Sequence, residues 1–309
     1  ARIQAGLADS DYNIMFSYVH ETGIHLAQGK LKQARTSLTK ARKLWRNQFV
    51  DDEGVDTVIS ALSASVEYES GRLTSARNAV RRSARRFPHS EAWFDIYVAA
   101  YEPMIRLVSQ DRGLESAIAL IEDQKQLLER QGLSRVARML EGLRIILSSE
   151  QNLKEGKLAQ IITKDDLNVQ PSSTWQETET YTLAKAYIAI GEGKIDNAVG
   201  LLERENGRVT KLQLKRSQVR FLIVLSICYL TQNQSQLAEE RLLKAINLGA
   251  TSGSVQILRE FAHHRDLYQC LASLRTHVAL DRSQQAFVDK ILSNGLKESR
   301  KLPFYEYKL

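Results

Sequence analysis

Leu26 to Ala41 reads LAQGKLKQARTSLTKA, and Tyr68 to Ala84 reads YESGRLTSARNAVRRSA. Glycine, leucine and alanine stand in the same places in both, so one short pattern is written twice. Working outward, an equivalent small residue recurs as Ala34, Ala76, Ala117, Ala159, Ala198 and Ala238, at spacings of 42, 41, 42, 39 and 40 residues. Leu31, Leu73, Leu114 and Ile195 lie three residues before four of them, and Leu38, Val80, Ile121, Ile162 and Leu242 lie four residues after five. Residues three and four apart share one helix face, so each copy presents an apolar stripe with a small residue at its centre. Gly29, Gly71 and Gly193 precede the stripe, where a turn between two helices needs backbone freedom.

A period near forty with a turn in its middle is a helical hairpin repeated in series. One hairpin cannot bury its apolar face, so copies stack. The expected fold is all-α, a right-handed superhelical solenoid of about six tetratricopeptide-like hairpins forming a single domain over residues 1–309. The repeats fall near residues 12–46, 54–88, 92–130, 133–164, 174–206 and 217–249, with capping helices over 254–296. The sixth is the clearest: Leu225, Ser226, Tyr229, Ala238, Leu242 and Ala245 keep the intervals of a tetratricopeptide unit. The second ends at Pro88, the fourth (Leu140 to Ile162) is the faintest, with a short second helix, and the fifth has Gly191 and Gly193 in its turn. Pro171-Ser172-Ser173 reads as a break between two halves of one solenoid. Val255 to Leu274 and Ser283 to Ser293 read as capping helices.

Composition agrees. Only four prolines interrupt 309 residues, aromatics make up 7%, and helix formers dominate. No apolar run approaches the length of about 18 residues needed to span a bilayer. The longest, Phe221 to Leu230, reads as a buried helix. The N-terminus ARIQAGLADSDYN has no signal core and no initiator Met, as expected of an excised piece of a longer protein. Cys228 and Cys270 sit on apolar helical patterns and imply no disulfide framework, which suits a reducing cytoplasm.

The net charge of +7 permits an anionic partner without demanding one. Arg81-Arg82-Ser83-Ala84-Arg85-Arg86 is the densest basic run, with no opposing charge close in sequence. Without interleaved aromatics it reads as an exposed helix face rather than a nucleic-acid patch. No phosphate loop, nucleophile elbow or metal-ligand spacing occurs, so no enzyme and no cofactor is expected. His263 and His264 are adjacent, about 100° apart on a helix, and cannot clamp one metal unaided. Glu53, Glu67 and Asp111 are scattered carboxylates with no partner at a telling spacing.

What remains is the inner surface of the solenoid. Counting back from the aligned alanines puts Arg106, Arg144, Lys185 and Arg220 on or near it, with Tyr68, Tyr181 and Glu141, and Trp175 at the mouth of the fifth hairpin. Cations and aromatic faces on successive inner helices suit a small ligand rich in hydroxyls or carboxylates.

From Thr174 the chain reads TWQETETYTLAKAYIAIGEGKIDNAVGLLERENGR, and from Val219 VRFLIVLSICYLTQNQSQLAEERLLKAINLGATSGSVQILREFA. This resembles the tetratricopeptide-like sensor region of MalT-type, LuxR-class transcriptional regulators. Tyr181, Leu183, Ala184, Ile195, Ala198, Leu201 and Leu202 carry the first part of the likeness. Leu242, Ala245, Leu248, Gly253 and Arg259-Glu260-Phe261 carry the second. Ala262-His263-His264-Arg265 departs from the acidic segment that usually follows. The resemblance implies an effector-sensing domain whose nucleotide-binding and helix-turn-helix modules flank it outside this fragment. A small-molecule inducer or a regulatory protein is then the partner, DNA is touched only through another domain, and the full regulator self-associates.

The competing expectation is a protein-interaction scaffold holding a peptide or partner helix in its groove. A scaffold calls for a long, open, evenly lined groove, and a sensor for a pocket of a few hundred cubic ångströms.

Overall fold

Ala34, Ala76, Ala117, Ala198 and Ala238 are all at 0% exposure, each at the contact between the two helices of a hairpin. The computed structural model describes residues 11–49, 51–84, 86, 93–155, 163, 167–170, 172–261 and 264–293. Arg85, Pro88, Leu158, Ala159, Ile162, Pro171 and His263, all used in the sequence reading, lie outside the described residues. Among the described residues there are fourteen helices and no strand, so the protein is an all-α solenoid.

The hairpins follow one another as the period predicts. Helix α1 (Asp11–Ala27) pairs with α2 (Leu31–Gln48), α3 (Glu53–Glu69) with α4 (Leu73–Ala84), and α5 (Phe94–Arg112) with α6 (Leu114–Arg130). Helix α7 (Ser134–Lys154) opens the fourth unit, whose short second helix would fall outside the described residues. Then α8 (Trp175–Gly191) pairs with α9 (Ile195–Lys211), and α10 (Lys215–Thr231) with α11 (Ser235–Ser252). The end differs from one expectation. Val255 to Leu274 is two helices, α12 (Val255–Phe261) and α13 (Arg265–His277), followed by α14 (Arg282–Leu292). The break is a capped start: His264 Nδ1 accepts from the Leu267 amide at 3.3 Å, which satisfies a donor that a helix N-terminus leaves open.

Gly71 shows why the turns carry glycine. Its φ is +70°, and its amide donates to the Tyr68 carbonyl at 2.8 Å. In the sixth hairpin Asn233, at φ +59°, takes the same place, since asparagine tolerates the left-handed region better than most residues.

Helix α5 carries Pro103, which has no amide hydrogen to give to the Ala99 carbonyl one turn earlier. The Ser65 hydroxyl of α3 donates to that carbonyl instead, at 2.5 Å. A side chain from the neighbouring hairpin thus repairs the helix that carries Glu102 and Arg106.

Two apolar cores fill the stack. One runs from α1 to α7, the other from α7 to α14 with Val98 of α5. Helix α7 gives Val136, Leu140, Leu143 and Leu147 to the first and Met139, Ile145 and Ile146 to the second, so the halves share a wall and form one solenoid.

The stack also bends back on itself. Helix α10 packs against α1, and α12 against α3. A Cβ built on Gly29 would lie 3.3 Å from that of Lys215 and 3.1 Å from that of Ser252. A Cβ on Gly71 would lie 2.7 Å from Arg259 Nη1. The turns of the first two hairpins therefore rest on the sixth hairpin and the first capping helix. The inner helices face one another around a shared interior rather than lining an open groove.

Candidate functional site

That interior is charged. Arg106 of α5 and Arg216 and Arg220 of α10 meet Glu69 of α3, Glu102 of α5, Glu150 of α7, Glu179 of α8 and Glu260 of α12. Arg216 places one nitrogen on each of three carboxylates. Nε is 2.7 Å from Glu69, Nη2 is 2.6 Å from Glu102, and Nη1 bonds Glu179. Arg106 Nη1 reaches Glu150 at 3.2 Å and Glu260 at 3.1 Å, while Nε lies 3.4 Å from Glu102. Arg220 Nη2 is 2.7 Å from Glu102 and 3.6 Å from Glu260. Tyr68 closes the far side, donating its hydroxyl to Glu260 Oε1 at 2.8 Å.

Burial and charge pull the carboxyls apart. Burial raises Glu102, but Arg216, Arg220 and Arg106 outweigh it and hold the group well below the usual carboxylate range. Burial pushes Glu260 up to about 7 against the pull of Arg106 and Arg220, with repulsion from Glu150 and Glu102 adding to the rise. The difference follows from geometry, since Glu102 touches all three guanidiniums and Glu260 sits among other acids. Burial works against the charged form of Arg106 and Arg216, yet the surrounding carboxylates raise both guanidiniums well above their ordinary value.

Beside this network lies a cavity of about 290 Å³. Helix α1 supplies His20 and Ile24, α3 supplies Leu62, Ser65, Tyr68 and Glu69, and α5 supplies Asp95, Val98 and Glu102. Trp175, Gln176, Glu179 and Thr180 of α8 and Leu214 and Arg216 by α10 also line it. Trp175 is fixed where α8 begins. The Thr174 hydroxyl accepts from the Glu177 amide at 3.3 Å and Glu177 Oε2 accepts from the Thr174 amide at 2.8 Å, a reciprocal cap. The Trp175 ring then lies 5.6 Å from the Arg216 guanidinium carbon.

The residues placed on the inner surface by sequence divide into two groups. Tyr68, Arg106 and Arg220 are in the network and Trp175 is on the cavity wall. Arg106 and Arg220 are nonetheless buried and ion-paired, so they are not the free cations the spacing suggested. Glu141 and Arg144 pair with each other and face α6, where Lys125 lies 2.8 Å from Glu141. Burial raises the Glu141 carboxyl, but Arg144 and Lys125 bring it down to about 2. Tyr181 is buried in the second core, and Lys185 bonds Asn168 outside the network.

The surface carboxylates do have partners, Glu53 within its own hairpin and Glu67 and Asp111 in the hairpin before. Glu53 pairs with Arg86 at 2.7 Å, Glu67 with Arg35 at 3.6 Å, and Asp111 with Arg77 at 2.6 Å. The basic run after Val80 is therefore opposed at Arg86. Sequence reading missed Arg216 and the network carboxylates. A signal was present, since Glu102/Arg106 and Arg216/Arg220 are charges four apart within helices that are otherwise buried.

The sequence matches the family described as MalT-like TPR region over residues 3–261. The chain belongs to that family. The match on this MalT-like TPR region spans the described helices α1 to α12 and ends at Phe261, one residue beyond Glu260, so it takes in every member of the network. A search of curated proteins gave no match to the chain. Among the described residues of the MalT-like TPR region, no helix is long and apolar enough to cross a membrane, and no group of three or more potential ligands is placed to hold a metal.

Proposed function

We propose that the chain is the effector-sensing domain of a LuxR-class transcriptional regulator, acting in the cytoplasm without catalysis of its own. In this reading a small-molecule inducer occupies the cavity beside the charge network, and DNA is contacted through other modules of the regulator. The observation that carries it is the location of the cavity, walled by the first, second, third, fifth and sixth hairpins. A ligand there touches both ends of the curved stack, so its binding energy depends on how tightly the stack closes. It shifts the regulator by the difference between its affinities for the tighter and looser curvatures, and by no more than that. A peptide scaffold needs a long open groove, whereas this interior is occupied by three guanidiniums and five carboxylates.

A thermal-shift screen of this chain against small metabolites of varied charge tests the reading. A true effector at about 100 times its Kd stabilises the fold by about 2.7 kcal/mol. Ile24→Trp, at a cavity residue 56% exposed and so tolerant of bulk, should abolish that shift. If no compound stabilises the protein, or if the stabilisation survives Ile24→Trp and every other filling of the cavity, the sensor reading is wrong.

A further inference from the structure

The cavity wall also says what kind of molecule suits it, and this step rests on the sensor reading above. Among the described residues of the wall, Arg216 and His20 are the basic ones. All three nitrogens of Arg216 are already on Glu69, Glu102 and Glu179, and the His20 ring packs on Trp93 with centroids 4.6 Å apart. An anionic ligand therefore finds no uncommitted guanidinium. Acceptors are plentiful by contrast. Asp95 and three of the five network carboxylates lie on the wall.

Glu69 is the most telling of them. It is 4% exposed, Arg216 takes its Oε1, and its Oε2 is buried with no hydrogen-bond partner. A buried carboxylate oxygen without a donor is costly, and the cost is relieved by a bound donor that carries positive charge. Even with Glu260 protonated, the network holds four carboxylates against three guanidiniums, so a cation offsets an excess that a neutral molecule leaves standing. Ile24, Leu62, Val98 and Leu214, with the Trp175 ring, give the wall an apolar portion, and Ser65, Gln176 and Thr180 add neutral polar groups. The apolar portion suits a hydrocarbon body, and the polar groups carry no positive charge that would favour an anion over a cation.

We propose that the effector is a small amine, bound as its ammonium ion, with the charged head against Glu69 and Asp95 and an apolar body against Ile24, Leu62 and Leu214. The aromatic face of Trp175 borders the same space and suits either a ring or the ammonium itself.

Isothermal titration of the whole chain with three matched probes tests this: phenethylamine, 2-phenylethanol and phenylacetate, which share a body and differ in charge. Phenethylamine should bind at least about tenfold more tightly than the other two, and Glu69→Gln should weaken it about tenfold or more. Asp95→Asn, near the start of α5, is the second variant should Glu69→Gln fail to fold by circular dichroism. If the alcohol or the acid binds as well as the amine and Ile24→Trp blocks it, the amine inference fails while the sensor reading stands. If a folded Glu69→Gln or Asp95→Asn protein binds phenethylamine unchanged, the inference fails as well. If none of the three binds at millimolar concentration, the amine inference is overturned, and the broader screen decides the sensor reading separately.

Discussion

Tyr68 and Glu260 are 192 residues apart in the chain, yet the phenol donates to the carboxyl at 2.8 Å inside the folded protein. The bond ties α12, just beyond the last hairpin, to α3 of the second, and it can form only if the stack has closed. Tyr68→Phe removes the donor and leaves a buried carboxyl oxygen with one partner fewer. The expected cost is about 1–3 kcal/mol in urea unfolding, a typical penalty for an orphaned buried acceptor. A variant as stable as the parent would mean that α12 does not clasp α3 in solution.

Glu260 also predicts how stability depends on pH. The folded carboxyl holds its proton up to about 7, while an unfolded glutamate releases it near 4.3. Between those values the folded state binds more protons, so the contribution of Glu260 is fully present below the lower value and is lost as pH rises through the upper one. The drop is at most about 4 kcal/mol for this group. Glu102 and Glu141, held low by their cations, act in the opposite sense and lose stability as the medium becomes more acidic than their unfolded values. The groups facing Glu260 are Tyr68 of α3, Glu102 and Arg106 of α5, Glu150 of α7 and Arg220 of α10. Glu260→Gln should flatten the decline between about pH 4 and 7 and leave the acid limb in place. Chemical denaturation across that range reads both limbs, and an unchanged decline in the variant would assign it to another group.

The hairpins were legible in the sequence because they are local. Ala34, Ala76 and Ala238 mark where two helices of one unit touch, and glycine or asparagine marks the turn, all within about forty residues. Tyr68, Arg106 and Arg220 could be placed on the inner side by counting from those alanines. The partners could not. Arg216 meets Glu69 across 147 residues, and that meeting depends on the small rotation from each hairpin to the next, which the repeat pattern does not encode. The same limit misassigned Arg144, whose helix α7 turns it toward α6 and Glu141. It also hid Glu102, which was readable only as one of two charges four apart on a buried helix.

Arg216 is the residue on which the network turns, and its substitution separates geometry from charge. Arg216→Ala leaves Glu69, Glu102 and Glu179 without their shared partner, and breaking a buried ion pair from one side costs about 3–5 kcal/mol. Arg216→Lys keeps the charge but offers one nitrogen where three are used, so it should recover only a minor part of that loss. Equilibrium unfolding of both variants measures the difference. Full rescue by lysine would show that only the charge of Arg216 matters, not its three-way fork.

Gly142 offers a test of packing that is independent of charge. It lies within α7, and a Cβ there would meet Thr180 Cγ2 of α8 at 2.6 Å, well inside contact distance. Two effects compete in Gly142→Ala. Alanine favours the helix over glycine by about 1 kcal/mol, while overpacking at a tight helix contact costs about 1–3 kcal/mol. Backbone separation between α7 and α8 is fixed by both apolar cores, so the clash should win and the single variant should be destabilised. Thr180→Ser removes Cγ2 and with it the nearest obstacle, the next being Tyr181 Cδ1 at an ordinary 3.7 Å. In that background Gly142→Ala should stabilise the protein by a few tenths to about 1 kcal/mol. A double-mutant cycle by thermal or urea unfolding gives the coupling directly. The sign reversal is the decisive feature: if alanine is equally harmful with serine or threonine at position 180, the close approach of α7 to α8 is not what selects glycine there.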